Sequence, residues 1–204
     1  MRKKYQFLAG TAVLTLLATA FPVAAMAQGT KVPPIHMTVT GGAKTCVPNA
    51  LGTVQITKAG GVEIMDVIVE HLVPNTEYDF FVIQVPNSPF GIAWYQGDIE
   101  TDGNGRGHQR FIGRFSIETF SVAVGSQPAP VVFNGPFPDA SSNPPFNPIQ
   151  MYHLGLWFGS PKTAQKAGCP ATVTPFNGEH NAGIQVLNTS TYPDNQGPLF
   201  SVKP

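Results

Sequence analysis

Two neighbouring residues near the C-terminus, Glu179 and His180, have the side chains best suited to acid–base or metal chemistry. His153 and Asp194 carry groups of the same kind and could join them in space. Histidine together with carboxylates can bind zinc or transfer protons. Adjacent residues of an extended segment point in opposite directions, however, and the preceding Asn177-Gly178 is an ordinary turn signal. We therefore expect a structural turn, assign no catalytic residue and no cofactor, and keep Glu179 and His180 as the only candidates for a metal site.

Large aromatic side chains are the second group of interest, because exposed rings stack on sugars or on protein partners. Several of them fall in one apolar stretch, residues 86–95, that we predict to be a loop. Trp157 alternates with the apolar residues of its predicted strand and falls on the same side as the polar His153. In a sheet with one buried face this would place Trp157 on the outside. The candidate binding residues are Phe90, Trp94, Tyr95, His153 and Trp157, with an unidentified protein or carbohydrate as the partner. The alternative is that these rings pack beneath the proline-rich segment 125–148 as a small second core.

Three common catalytic motifs are absent from the sequence. It contains no G-x-S-x-G nucleophile turn, no H-E-x-x-H pair and no glycine-rich loop between a strand and a helix. Asp102 and Asn104 are spaced like the first ligands of a calcium loop. Such a loop also needs oxygen ligands at its fifth and twelfth positions, which are Arg106 and Gly113 here. We therefore predict that residues 102–105 form a hairpin turn.

The two cysteines, Cys46 and Cys169, are predicted to form one disulfide, because two thiols in an exported protein normally pair. The alternative is a reactive or metal-bound thiol pair. There is no C-x-x-C motif, and a zinc site normally has four ligands. A bridge between these positions would tie the first strand region to the C-terminal part of the chain.

The N-terminus has the pattern of a secretory signal peptide. Arg2, Lys3 and Lys4 precede an apolar run, and Ala25-Met26-Ala27 fits a cleavage site, which predicts a signal peptide over residues 1–27. An uncleaved membrane anchor is the alternative, and no other stretch is long and apolar enough to span a bilayer. Without residues 1–27 the chain keeps nine basic and twelve acidic residues, a net charge of −3. This balance argues against binding to nucleic acids. We expect a secreted or cell-surface protein.

Glycine and proline together account for 41 of 204 residues, while 42% of the chain is hydrophobic. This combination favours an all-β fold that is cut into short strands by turns. Alternating apolar residues predict strands over 35–39, around 54–56 and over 62–70, and Gly60-Gly61 predicts a hairpin between the last two. A further strand is predicted at 97–101, with 108–112 returning as its hairpin partner.

The segment Leu72-Val73-Pro74-Asn75-Thr76-Glu77-Tyr78 runs directly into an apolar strand. This L-x-P-x-T-x-Y pattern resembles the tyrosine corner of fibronectin type III and related immunoglobulin-like sandwiches. The resemblance implies that the Tyr78 hydroxyl bonds backbone a few residues upstream, with Leu72 buried and Pro74 shaping the corner. It implies a β-sandwich and says nothing about function.

The second half of the chain is less regular. A change of phase between Ile117 and Phe120 predicts a β-bulge near 118–119. Residues 152–158 are predicted to form a half-buried strand. Ser160 and Pro161 predict the start of a short helix that Gly168 ends. One further strand is predicted at 184–187 within an otherwise irregular tail.

Together these patterns predict a single β-sandwich domain over residues 28–204, with 125–148 as a proline-rich insertion. The expected function is a non-catalytic extracellular surface or binding module. One alternative is an extracellular hydrolase or metal-dependent enzyme that uses His153, Glu179, His180 or Asp194. Another is a structural surface subunit, which the low charge and the many strand edges would suit.

Overall fold

The computed structural model describes residues 29–121, 149–176 and 181–203. The predicted signal peptide, the insertion 125–148, and Glu179 and His180 lie outside these residues. Within the described ranges no helix is both long and apolar enough to cross a membrane.

The described part of the chain is all-β, as predicted, and its paired strands are antiparallel. One short helix, α1 (Pro161–Lys166), and one 3₁₀ turn, Pro198–Ser201, accompany the strands. The strands are β1 (Thr30–Lys31), β2 (Ile35–Val39), β3 (Leu51–Ala59), β4 (Val62–Glu70), β5 (Glu77–Ile83), β6 (Ala93–Glu100), β7 (Gly107–Gly113), β8 (Phe120–Ser121), β9 (Ile149–Gln150), β10 (His153–Phe158) and β11 (Gln185–Asn188).

The main strands form two layers around one apolar core. One layer contains β2, β3, β4 and β7 in that order, with the short β1 on β3. The other contains β6, β5, β10 and β11. Pairing of β11 with β2, through Leu187 opposite Val39, joins the two layers along one side. β6 and β7 are the two ends of this path, and no described strand pairs between them, so the wall stays open there.

The hairpin of β3 and β4 follows the predicted alternation. Gly60 takes a positive φ of 68° in its turn, a conformation that glycine adopts without steric cost. Val54 and Ile56 on β3 and Met65 and Val67 on β4 point inward and are fully buried. Burial of such a side chain contributes roughly 1.5–3 kcal/mol, so the inner face stabilises this layer strongly.

The predicted tyrosine corner is present. The Tyr78 hydroxyl accepts a hydrogen bond from the Val73 N–H at 3.0 Å, and the Tyr78 ring is fully buried. Thr101 completes the corner, because its hydroxyl donates to the Val73 carbonyl at 2.6 Å and accepts from the Thr76 N–H at 3.0 Å. These bonds hold the point where the chain passes from β4 in one layer to β5 in the other.

The turn at residues 102–105 forms, but the predicted hairpin pairing of its flanking strands is wrong. Asp102 accepts the Gly105 N–H at its carbonyl and the Asn104 and Arg106 N–H groups at Oδ1. Oδ1 of Asp102 therefore stabilises the turn. Instead of returning beside β6, the chain crosses between the layers, and β7 pairs with β4, with Val69 opposite Gly107.

Residues 113–121 do not contain the predicted β-bulge. β7 ends at Gly113, and a turn follows in which the Thr119 N–H and hydroxyl both donate to the Ser116 carbonyl. The change of phase between Ile117 and Phe120 comes from this turn, after which β8 pairs with β9.

The strand predicted at 152–158 exists as β10, but it is buried on both faces and not on one. β10 is a central strand, since β5 lies on one side and β11 on the other. Leu154, Leu156 and Phe158 face the main core. The opposite face is covered by the loop that carries Phe90 and by the segment that carries Phe176.

The predicted disulfide is present and links Cys46 to Cys169 with their Cα atoms 5.2 Å apart. Cys169 directly follows α1, which starts and ends as predicted: Ser160 Oγ accepts the Thr163 N–H, and Gly168 has a positive φ of 79°. The bridge thus fastens α1 to the segment between β2 and β3.

Candidate functional site

A cleft of about 750 Å³ opens at the unpaired ends of the sheet, and we name it the β6–β7 cleft. Its walls come from β6, from the end of β7 and from the turn that follows β7. The residues that line it include Trp94, Gln96, Ile112, Arg114, Glu118 and Phe120. Its volume falls within the range of about 300–1,000 Å³ that is usual for small-molecule sites.

Trp94 is the largest aromatic side chain of this cleft. It pairs with Val82, a core residue, and opposed residues of an antiparallel pair share a face, so Trp94 has the core-facing orientation. It is nevertheless 53% exposed, and no described strand pairs with the outer edge of β6. The sequence interpretation placed Trp94 and Tyr95 in a loop, which is wrong, since both lie in β6.

A β-bulge in β6 shapes the same wall. Phe80 pairs with Gly97 and Phe81 with Tyr95, so Gln96 is the extra residue. Such a bulge re-aims a side chain, and here both Trp94 and Gln96 line the cleft. Gly97 must be small, because a Cβ there would lie 3.0 Å from Cε1 of Phe111 and its φ is +145°. The Phe111 ring of β7 thus packs against β6 at Gly97.

The opposite wall carries three charged groups, one guanidinium and two carboxylates, that lie close together. Glu63 is buried and accepts the Phe115 N–H at 2.7 Å, while Arg114 Nη1 lies 3.9 Å from its other oxygen. Arg114 donates to the Gly61 carbonyl at 2.8 Å and to Glu118 Oε2 at 2.5 Å. The bond to Glu118 and the charge of Glu63 raise the pKa of Arg114 above its ordinary value, so the guanidinium stays charged. This wall is therefore ordered without the help of a ligand.

The rim of the cleft is apolar. Ile112 is 68% exposed and Phe120 is 36% exposed, and with Trp94 they form a patch of three large exposed side chains. Adjacent exposed apolar side chains of this size are typical of a contact surface. Sequence reasoning missed Ile112, Arg114 and Phe120, and the phase change before Phe120 was the available signal.

Trp157 is not part of a surface site, and its predicted exposure is wrong. Its side chain does point away from the core-facing Leu154 and Leu156, but it is fully buried. Phe81, Phe90 and Phe176 surround it with ring centroids at 5.2 Å. The loop carrying Phe90 and the segment carrying Phe176 cover this outer face. The second core therefore exists, and its described cover comes from these two segments, while the 125–148 segment that the sequence suggested lies outside the described residues.

Phe90 and Tyr95 lie apart from Trp94. Phe90 is half-buried against Trp157. Tyr95 is 5.5 Å from Phe81 on the outer face, and its hydroxyl donates to Asp98 Oδ1 at 2.5 Å. Burial and the bond to Asp98 raise the pKa of Tyr95, so it stays protonated. Three carboxylate oxygens near Tyr95 lie within 4.8 Å of one another, and they belong to Glu77, Asp79 and Asp98.

His153 is a buried structural histidine. Its Nε2–H donates to the carbonyls of Pro193 and Asp194 at 3.1 and 3.2 Å, which leaves Nδ1 to accept from the Thr189 hydroxyl at 3.0 Å. Burial lowers its pKa, so it is neutral at pH 7. Asp194 meets it through its backbone, while Glu179 and His180 lie outside the described residues. Both ring nitrogens are therefore engaged in holding the C-terminal segment.

The triplet Asn188-Thr189-Ser190 fits an N-glycosylation acceptor, but Asn188 is buried. Its Nδ2 donates to the Pro86 carbonyl at 2.9 Å and to Gln185 Oε1 at 3.1 Å. In the folded protein this amide is a structural link between β11 and the loop after β5.

Comparison of the chain with known protein families, curated proteins and solved structures gave no match to any of them.

Proposed function

We propose that this chain is an exported, non-catalytic binding module that takes its ligand in the β6–β7 cleft. The observation that carries the proposal is the exposure of Trp94 on the core-facing side of β6, next to Ile112 and Phe120. An uncovered core-facing tryptophan exposes a large apolar surface to water. A ligand that covers the ring would recover that surface.

The order of the cleft wall supports the same proposal. Glu63 is buried and hydrogen-bonded to the Phe115 backbone, and Arg114 is held by a carbonyl and two carboxylates. Binding groups fixed before the ligand arrives lose little side-chain entropy on binding.

Export and the type of sandwich are part of the proposal. The N-terminal sequence pattern supports export, and the Cys46–Cys169 disulfide is compatible with an oxidising compartment. The tyrosine corner at Tyr78 and the two-layered antiparallel architecture support a fibronectin type III or immunoglobulin-like sandwich, in one domain with an insertion at 125–148.

The hydrolase alternative has less support among the described residues. Of its four candidate residues, His153 uses both ring nitrogens in structural hydrogen bonds. Asp194 offers a backbone carbonyl to that ring. We therefore assign the cleft to binding and not to catalysis.

The test is a depletion assay with labelled mature protein and whole cells or extracellular polymer of the source culture. We expect saturable binding that falls about tenfold or more in Trp94→Ala, the change expected when a central aromatic contact is lost. Val173→Ala is the matched control, because Val173 is 58% exposed and does not line the cleft. Equal binding of wild type and Trp94→Ala, or no saturable binding of the wild type, would refute the proposed function.

A further inference from the structure

Resting on the proposed function, we propose that the ligand of the β6–β7 cleft is a neutral saccharide. One face of a sugar ring would lie on Trp94, and sugar hydroxyl groups would bond Gln96, Arg114 and Glu118. Sugars combine apolar C–H faces with hydroxyl groups at their edges, and aromatic rings beside fixed polar groups match both parts.

The charge of the cleft argues against an anionic ligand. Arg114 is the only basic residue that lines it within the described ranges, and Glu118 is the only acidic one. The two form an ion pair at 2.5 Å, and buried Glu63 adds a second carboxylate 3.9 Å from the guanidinium. The formal charges of Arg114, Glu118 and Glu63 sum to −1, and this balance disfavours an anionic saccharide.

The same ion pair can still bind hydroxyl groups. A guanidinium has five N–H groups, and the hydrogen bonds of Arg114 within the described chain go to the Gly61 carbonyl and to Glu118 Oε2. Its remaining N–H groups can donate to sugar oxygens. The other oxygen of Glu118, a side chain that is 56% exposed, can accept from a hydroxyl group. The two side chains are thus a donor and an acceptor held side by side, as vicinal hydroxyl groups require.

The shape of β6 argues against the main competing occupant, an extended peptide that adds a strand to the open edge. Strand addition needs a regular row of backbone N–H and C=O groups. The bulge at Gln96 interrupts that row within the cleft, between Trp94 and Gly97. Strand addition at β6 is therefore disfavoured, and β6 offers the cleft its side chains instead.

The test uses the fluorescence of Trp94 in a Trp157→Phe background, in which Trp94 is the single tryptophan. The probes are hexasaccharides of β-1,4-linked glucose, xylose and N-acetylglucosamine. We expect a saturable blue shift of the Trp94 emission with at least one hexasaccharide. Isothermal titration of the wild-type protein with the same sugars gives an independent measure if Trp157→Phe is poorly folded.

Two variants assign the binding to the cleft. We expect Arg114→Gln to weaken binding about tenfold, because the sugar loses charged donors. Arg110→Gln is the matched control, since Arg110 bonds Asp66 and does not line the cleft. Equal saccharide affinities of Arg114→Gln and Arg110→Gln would overturn the assignment of binding to the cleft.

The outcomes separate this inference from the proposed function. If none of the hexasaccharides binds while cell or polymer binding still depends on Trp94, the cleft is a binding site and the saccharide inference is wrong. If a sugar binds equally well to Trp94→Ala, the inference is also wrong. If neither sugars nor source material bind through Trp94, the proposed function itself fails.

Discussion

Val82 and Trp94 are paired across β5 and β6 and point to the same face, yet Val82 is fully buried and Trp94 is 53% exposed. Val82 lies in the interior of its layer, between β6 and β10. Trp94 lies on the edge strand, where the wall between β6 and β7 is open. The two tryptophans of the chain are therefore in opposite environments, since Trp157 is enclosed by three phenylalanine rings.

The first prediction uses this contrast. Iodide should quench the emission of Trp94 strongly and that of Trp157 weakly. Trp157→Ala should lower the free energy of unfolding by about 3–5 kcal/mol, the usual effect of removing a buried large aromatic side chain. Trp94→Ala should cost far less, because half of its ring is already in contact with water. Single-tryptophan variants and urea unfolding measure both effects, and a shielded Trp94 would contradict the open cleft.

The second prediction concerns the tyrosine corner. Tyr78→Phe removes the acceptor of the Val73 N–H and should lower the free energy of unfolding by about 0.5–1.5 kcal/mol, with the fold unchanged. Tyr192→Phe is the control, because no hydrogen bond of the Tyr192 hydroxyl is present within the described chain. The two variants are compared by urea denaturation. Equal midpoints for Tyr78→Phe and wild type would show that the bond does not stabilise the corner.

The third prediction concerns the disulfide. Cys46 and Cys169 are separated by 123 residues, so their bridge should stabilise the protein by about 4–5 kcal/mol in the chain-entropy description. The double variant Cys46→Ser, Cys169→Ser should unfold at a correspondingly lower urea concentration. Intact-mass analysis after alkylation should find no adduct before reduction and two after it. Two adducts on the unreduced protein would rule the bridge out.

The fourth prediction is a loss of stability in acid that depends on His153. Burial holds its folded pKa below the ordinary value of 6.5, so the unfolded chain binds the proton more readily. The stability that this histidine contributes is present above pH 6.5 and falls as the pH drops below it. Between pH 7.5 and 5.5 the loss should reach up to about 1.4 kcal/mol.

Unfolding of wild type, His153→Gln and His36→Gln at the two pH values tests this dependence. His36 is exposed and serves as the control. The acid loss should shrink only in His153→Gln. If that variant does not fold, an NMR titration of the wild-type imidazole replaces it. A His153 midpoint above 6.5 would contradict the prediction.

Local patterns in the sequence predicted part of the local structure. The alternation of Val54, Ile56, Met65 and Val67 predicted the β3–β4 hairpin, because a strand has a period of two residues. The corner at Tyr78 and the start of α1 at Ser160 were also predictable, because their hydrogen bonds join residues only three to five positions apart in the sequence. The cysteine pair was predictable by elimination, because no other cysteines exist to compete.

The tertiary structure decided the partners of each strand and the cover of each face. The turn at Asp102 looks the same in sequence whether β7 pairs with β6 or, as it does, with β4. Trp157 and Trp94 show the result most clearly. Strand parity assigns Trp157 to the outer face, and pairing with Val82 gives Trp94 a core-facing orientation. Yet Trp157 is buried beneath Phe90 and Phe176, and Trp94 is exposed at an open edge. Parity states only which way a side chain points. Whether that side is exposed to solvent depends on segments far away in the chain, because burial is a property of the whole folded chain and not of the strand itself.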